Sequence, residues 1–115
     1  MASRIVAAVV GVAALVAAAS PAFAQSPSPY DLTYTLRGAA AAPLYADMSA
    51  KTATVGEIPA GAKGIVLRWC RSEIPFGTWQ FGSRKQQLAL LDERWCEVSY
   101  QGKVGNVPGS AIAPE

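Results

Sequence analysis

The sequence contains no histidine and only two cysteines, and these scarcities remove the usual routes to catalysis. Without an imidazole there is no ready base near neutral pH, and a metal site lacks its commonest ligand. Cys70 and Cys96 stand too far apart for a Cys-x-x-Cys redox pair. No Gly-x-Ser-x-Gly elbow and no phosphate-cradling glycine loop is present. Carboxylates occur at Asp47, Glu57, Glu73, Asp92, Glu93 and Glu97, but the adjacent pair Asp92-Glu93 reads as a solvated face. The chain reads as a non-enzyme with no metal and no cofactor.

An excess of charge of one sign is also missing. Ten Lys and Arg stand against eight Asp and Glu, without the clustered basic face that nucleic acid requires. Long apolar runs are confined to the N-terminus. Arg4 precedes fifteen apolar residues, Ile5 to Ala19, short of the ~20 that span a bilayer. Pro21 breaks the run, and Ala22-Phe23-Ala24 places small residues where a signal peptidase reads. Residues 1–24 are therefore expected to be a secretory signal, cleaved between Ala24 and Gln25, leaving no stable membrane anchor. Export places the protein in the periplasm or outside the cell.

What remains is one small domain, whose core burial alone gives marginal stability. An even cysteine count in an exported chain of this size is where a covalent staple belongs. Each cysteine follows a tryptophan: Trp69-Cys70 and Trp95-Cys96. A Cys70–Cys96 disulfide is expected, closing the neck of an insertion over residues 71–94.

Gln25 to Pro29 has linker composition, and 25–33 is expected to lie outside the domain. From residue 34, short β-prone runs alternate with Gly and Pro turns: Tyr34–Arg37, Pro43–Ala46, Thr54–Ile58, Lys63–Arg71, Arg94–Gln101 and Lys103–Val107. Gln101-Gly102 reads as a hairpin turn, and Gly109–Ile112 as one 3-10 turn. Within the insertion, Glu73–Gly82 reads as a folded-back loop. Ser83 with Gln86 resembles a capping box that opens a short helix, with a strand as the alternative. Little helix and many short strands point to an all-β fold, a small barrel or sandwich, over 34–115.

The order of these pieces resembles the bacterial SH3-like domain. Val55-Gly56-Glu57-Ile58 with Gly61 is similar to that family's Val-x-Gly-x-Leu segment. Trp95-Cys96-Glu97-Val98 resembles its Trp-x-x-Val strand, and Gly102-Lys103-Val104-Gly105-Asn106-Val107 its Gly-x-x-Gly-Trp-Val ending. Ala46 and Asp47 replace the usual Val-Arg after Leu44, Asn106 replaces a tryptophan, and the Ser-Gly-Pro loop is absent. The resemblance implies a small SH3-like barrel, here interrupted by the stapled insertion. It also implies a non-catalytic binding module for a peptide, peptidoglycan or an envelope protein.

Alternation sets Val66, Cys70, Cys96, Val98 and Tyr100 on one face and Ile65, Leu67, Trp69 and Trp95 on the other. The second set then needs a cover, which the insertion supplies through Leu88, Leu90, Leu91 and Trp79. A β-bulge that shifts the register is the competing arrangement. Phe76, Trp79 and Phe81 form either a recognition surface, with Arg84 beside them, or a satellite core under the insertion. Tyr45 either lines a groove or caps the barrel. A structural or inhibitory envelope protein, meeting its partner through residues 71–94, is the second functional expectation.

Overall fold

The computed structural model describes residues 27–115; the expected export signal and the Ala24–Gln25 cleavage point lie outside them. The chain is mostly β. Its strands are β1 (Thr33–Leu36), β2 (Ala42–Tyr45), β3 (Thr54–Ile58), β4 (Ile65–Cys70), β5 (Trp95–Tyr100), β6 (Lys103–Pro108) and β7 (Ile112–Pro114). They form one seven-stranded sheet in the order β3-β2-β6-β5-β4-β1-β7, antiparallel throughout. The sheet is open, with β3 and β7 as its edges. A 3-10 turn over Gly109–Ala111 joins β6 to β7, and β7 itself had no signal in the sequence.

Local chemistry accounts for the elements. β4 and β5 are β-branched and aromatic in their interiors. β5 turns into β6 through Gln101 and Gly102, both at positive φ (48° and 83°), the geometry that matches strand twist in a two-residue hairpin. In the insertion, helix α2 (Arg84–Asp92) starts on the expected capping box, with reciprocal bonds between Ser83 and Gln86. The expected loop before it instead contains a one-turn helix, α1 (Phe76–Gln80). Pro75 precedes α1, where its missing N–H costs nothing.

The linker expectation is corrected as well. Ser28 accepts a hydrogen bond from the Tyr30 N–H and opens a 3-10 turn over Pro29–Asp31. Pro29 is buried, and the Tyr34 hydroxyl donates to its carbonyl at 2.7 Å. Tyr30 and Leu32 pack partly buried against the core, and together with Pro29 and its hydrogen bond they fasten these residues to the domain.

The core lies on one side of the sheet. Ile65 and Leu67 of β4 share it with Cys70, Cys96, Val98, Val107, Leu44, Ile58 and Tyr34. Simple alternation therefore fails, and the bulge holds. Leu67 pairs with Val98 but Trp69 pairs with Glu97, so Arg68 is an extra residue in β4. The extra residue lets Leu67 and Cys70 both point inward, while Val66 turns outward.

The cover expectation is overturned too. Ile74, Trp79 and Leu91 join the same inner core, and Trp69 on the far face stays 47% exposed. The insertion closes an end of the core and leaves the outer face bare. The Cys70–Cys96 disulfide forms its neck, with 3.9 Å between the Cα atoms. Arg94 ties the same neck, donating to the Ser72 carbonyl at 2.6 Å, to Glu73 at 3.3 Å and to Leu90 at 2.5 Å. Against the Gly109–Ala111 turn the fit is tight: a Cβ on Gly109 would overlap the Leu91 carbonyl oxygen.

Candidate functional site

Cys70 and Cys96 point inward, so the residues before them, Trp69 and Trp95, point outward. Ladder register then lays out the outer face. Val66, Ser99 and Val104 form one row; Trp69, Glu97, Asn106 and Tyr45 form the next; Trp95 and Pro108 follow. The rows bring residues from β4, β5, β6 and β2 onto one platform.

Tyr45 is the sequence candidate that this face takes up. Its ring meets that of Trp95 edge to face, with centroids 5.8 Å apart and planes at 71°, a favoured aromatic geometry. Asn106 is buried and donates from Nδ2 to the Tyr45 carbonyl at 3.2 Å. In place of the tryptophan expected from the resemblance, a short amide here ties β6 to β2. Arg68, the bulge residue, donates from Nε to Glu97 Oε1 at 2.8 Å, which neutralises both charges beside Trp69. Among the described residues no cavity or cleft opens on the surface, so the face is a shallow platform. It offers two aromatic rings in contact, one exposed indole and a neutral polar strip.

The other candidates are divided. Trp79 is fully buried in the core, which leaves it no contact surface. Phe76 and Phe81, at the two ends of α1, are 52% and 73% exposed. The guanidinium of Arg84 donates from Nη1 to the Pro114 carbonyl at 2.9 Å and so fastens α2 to the β7 edge. These residues do not converge with Tyr45.

Sequence reasoning grouped Trp69 with Trp95 but expected both to be covered, and it missed Arg68, Glu97 and Asn106. One signal was available: two inward cysteines force both preceding tryptophans outward, whatever happens further along the strand. No signal marked Arg68 as the bulge.

Among the described residues no helix is long and apolar enough to cross a membrane. Comparison with protein-family models, curated proteins and solved structures returns no match to this chain.

Proposed function

We propose that this protein is an exported, non-catalytic binding module of the bacterial SH3-like type. It meets a peptide, cell-wall or protein partner on the outer sheet face around Tyr45 and Trp95. A single observation carries this reading. The fold takes Tyr45 from β2 and Trp95 from β5, strands separated in the sheet by β6, and brings their half-buried rings into contact on the outer face. Aromatic side chains on a rigid sheet are the commonest anchors of an interface.

Support for the SH3-like part comes from where the resembling segments fall. Val55–Ile58 lies in β3, Trp95–Val98 in β5, and Gly102–Val107 completes the β5–β6 hairpin. Gly105, the second glycine of that last segment, lies where β2 crosses close to β6: a Cβ there would approach the Leu44 Cβ to 2.7 Å. The whole is read as a small barrel left open between β3 and β7. A structural disulfide fits an oxidising compartment, periplasmic or extracellular.

The second reading, a structural or inhibitory envelope protein, is favoured by the exposure of Phe76 and Phe81. Retention on purified peptidoglycan, compared with capture of a defined protein from an envelope extract, tests both readings. Loss of either on Tyr45→Ala supports the sheet face. Loss on Phe76→Ser with Phe81→Ser, at unchanged Tyr45, supports the insertion. Deleting residues 73–82 is not a usable test, because Ile74 and Trp79 belong to the core.

A further inference from the structure

We infer that the outer row from Trp69 to Tyr45 is a platform for a linear, uncharged polysaccharide. This rests on reading the face as a contact surface and adds the class of ligand. The row begins and ends on an aromatic side chain, Trp69 on β4 and Tyr45 on β2, three strand steps apart, or roughly 14 Å. Between them stands a planar polar pair, the Glu97 carboxylate and its Arg68 guanidinium; the Asn106 amide lies buried beneath the row, bonded to the Tyr45 carbonyl.

That alternation matches a sugar chain. A pyranose ring has an apolar C–H face that lies against an indole or phenol. Its rim carries neighbouring hydroxyls, which planar guanidinium and carboxylate groups bind in pairs. Exposure supports the assignment. The bulge at Arg68 turns Trp69 out to 47% exposure, and bulges of this kind re-aim side chains at functional surfaces. A ligand lying along the row would cover that indole.

Charge and shape select against other occupants. Arg68 and Glu97 cancel at 2.8 Å, and no other charged side chain stands in the row, so it has no field to draw an anionic or cationic polymer. A small molecule that needs enclosure has no cleft to enter among the described residues. A peptide bound by main-chain pairing needs a free strand edge, but β4, β5 and β6 are interior strands with both neighbours in place. A flat chain of neutral sugars asks only for rings and hydroxyl partners, and both are present.

The test titrates the disulfide-bonded protein with linear oligosaccharides of β-linked glucose and of β-linked N-acetylglucosamine. Tryptophan fluorescence and calorimetry report binding. Longer oligomers should bind more tightly than the monosaccharides, with little dependence on salt. Trp69→Ala should weaken binding at least about tenfold, equivalent to ~1.4 kcal/mol, while its melting temperature stays near that of the parent. Lys85→Ala, at an exposed position of α2 away from the row, should bind as the parent does. Failure of both oligosaccharides to bind overturns the inference, as does binding that Trp69→Ala leaves unchanged. A synthetic peptide retained through Tyr45 and Trp95, with no sugar bound, overturns the ligand class but leaves the contact-face reading standing. If Tyr45→Ala changes no interaction of the protein, that reading falls with it.

Discussion

Cys70 and Cys96 are directly opposed on β4 and β5, both buried, and their bond closes the neck from which the insertion leaves the sheet. The insertion then returns three side chains, Ile74, Trp79 and Leu91, to the core that the disulfide borders. Staple and contents are therefore coupled. Cys70→Ser with Cys96→Ser should lower stability by about 3.5 kcal/mol, the loop-entropy value for a closed loop of this length. Urea unfolding measures the loss, and the oxidised parent should titrate no free thiol.

The tryptophans should separate sharply in mutational cost. Trp79→Ala removes a fully buried side chain and should cost about 3–5 kcal/mol. The indole N–H of Trp79 is buried without a hydrogen-bond partner among the described residues, so Trp79→Phe should cost distinctly less. Trp69→Ser, on the open face, should cost under about 1 kcal/mol. Equal losses at Trp69 and Trp79 in thermal unfolding would place the insertion on the wrong side of the sheet.

Expectations from the sequence succeeded where the signal was local and failed where packing decided. Strand positions followed from β-branched runs between Gly and Pro turns, and α2 from the reciprocal fit of Ser83 and Gln86. The cysteine pair followed from composition and the expectation of export. Arg68 carried no mark of a bulge, because an arginine on an exposed strand looks the same in or out of register. α1 was hidden by Gly77 and by aromatics that are poor helix formers; burial of Trp79 and Ile74 holds it in place. At the site, Tyr45 was legible as an aromatic beside a strand. Its contact with Trp95 depends on β2 crossing to β6, and no local pattern encodes that.

Glycine substitutions give a test of the close approach between insertion and domain. Gly109→Ala must displace the Leu91 carbonyl, which the new Cβ would overlap, and should cost about 1–3 kcal/mol. Gly77 in α1 has open space where a Cβ would stand, with nothing within 4 Å, and Gly77→Ala should be neutral or stabilise by about 0.4–1 kcal/mol. Thermal unfolding of the two variants side by side measures the contrast.

Alkaline pH should unfold the protein through the buried phenol of Tyr34 and the partly buried one of Tyr30. Burial, reinforced by the neighbouring Tyr30, holds the Tyr34 hydroxyl well above its ordinary value of 10.0. Burial and the charge of Glu73 raise Tyr30 in the same direction. The fold thus favours the neutral phenols. That stability is complete below about pH 10, where the unfolded chain is also neutral, and is lost as pH rises towards the raised folded values. Urea midpoints should fall above about pH 10. Tyr34→Phe should flatten that fall, while costing about 1 kcal/mol at neutral pH for the lost bond to Pro29.

The most direct measurement is the set of three indole N–H signals in nuclear magnetic resonance spectra of the nitrogen-labelled protein. It is recorded as the peptidoglycan or envelope extract used to test the proposed function is added. The outer-face account predicts that the Trp69 and Trp95 signals move on binding while Trp79, buried on the other side of the sheet, stays in place. Binding that leaves the Trp69 and Trp95 signals unmoved would contradict it.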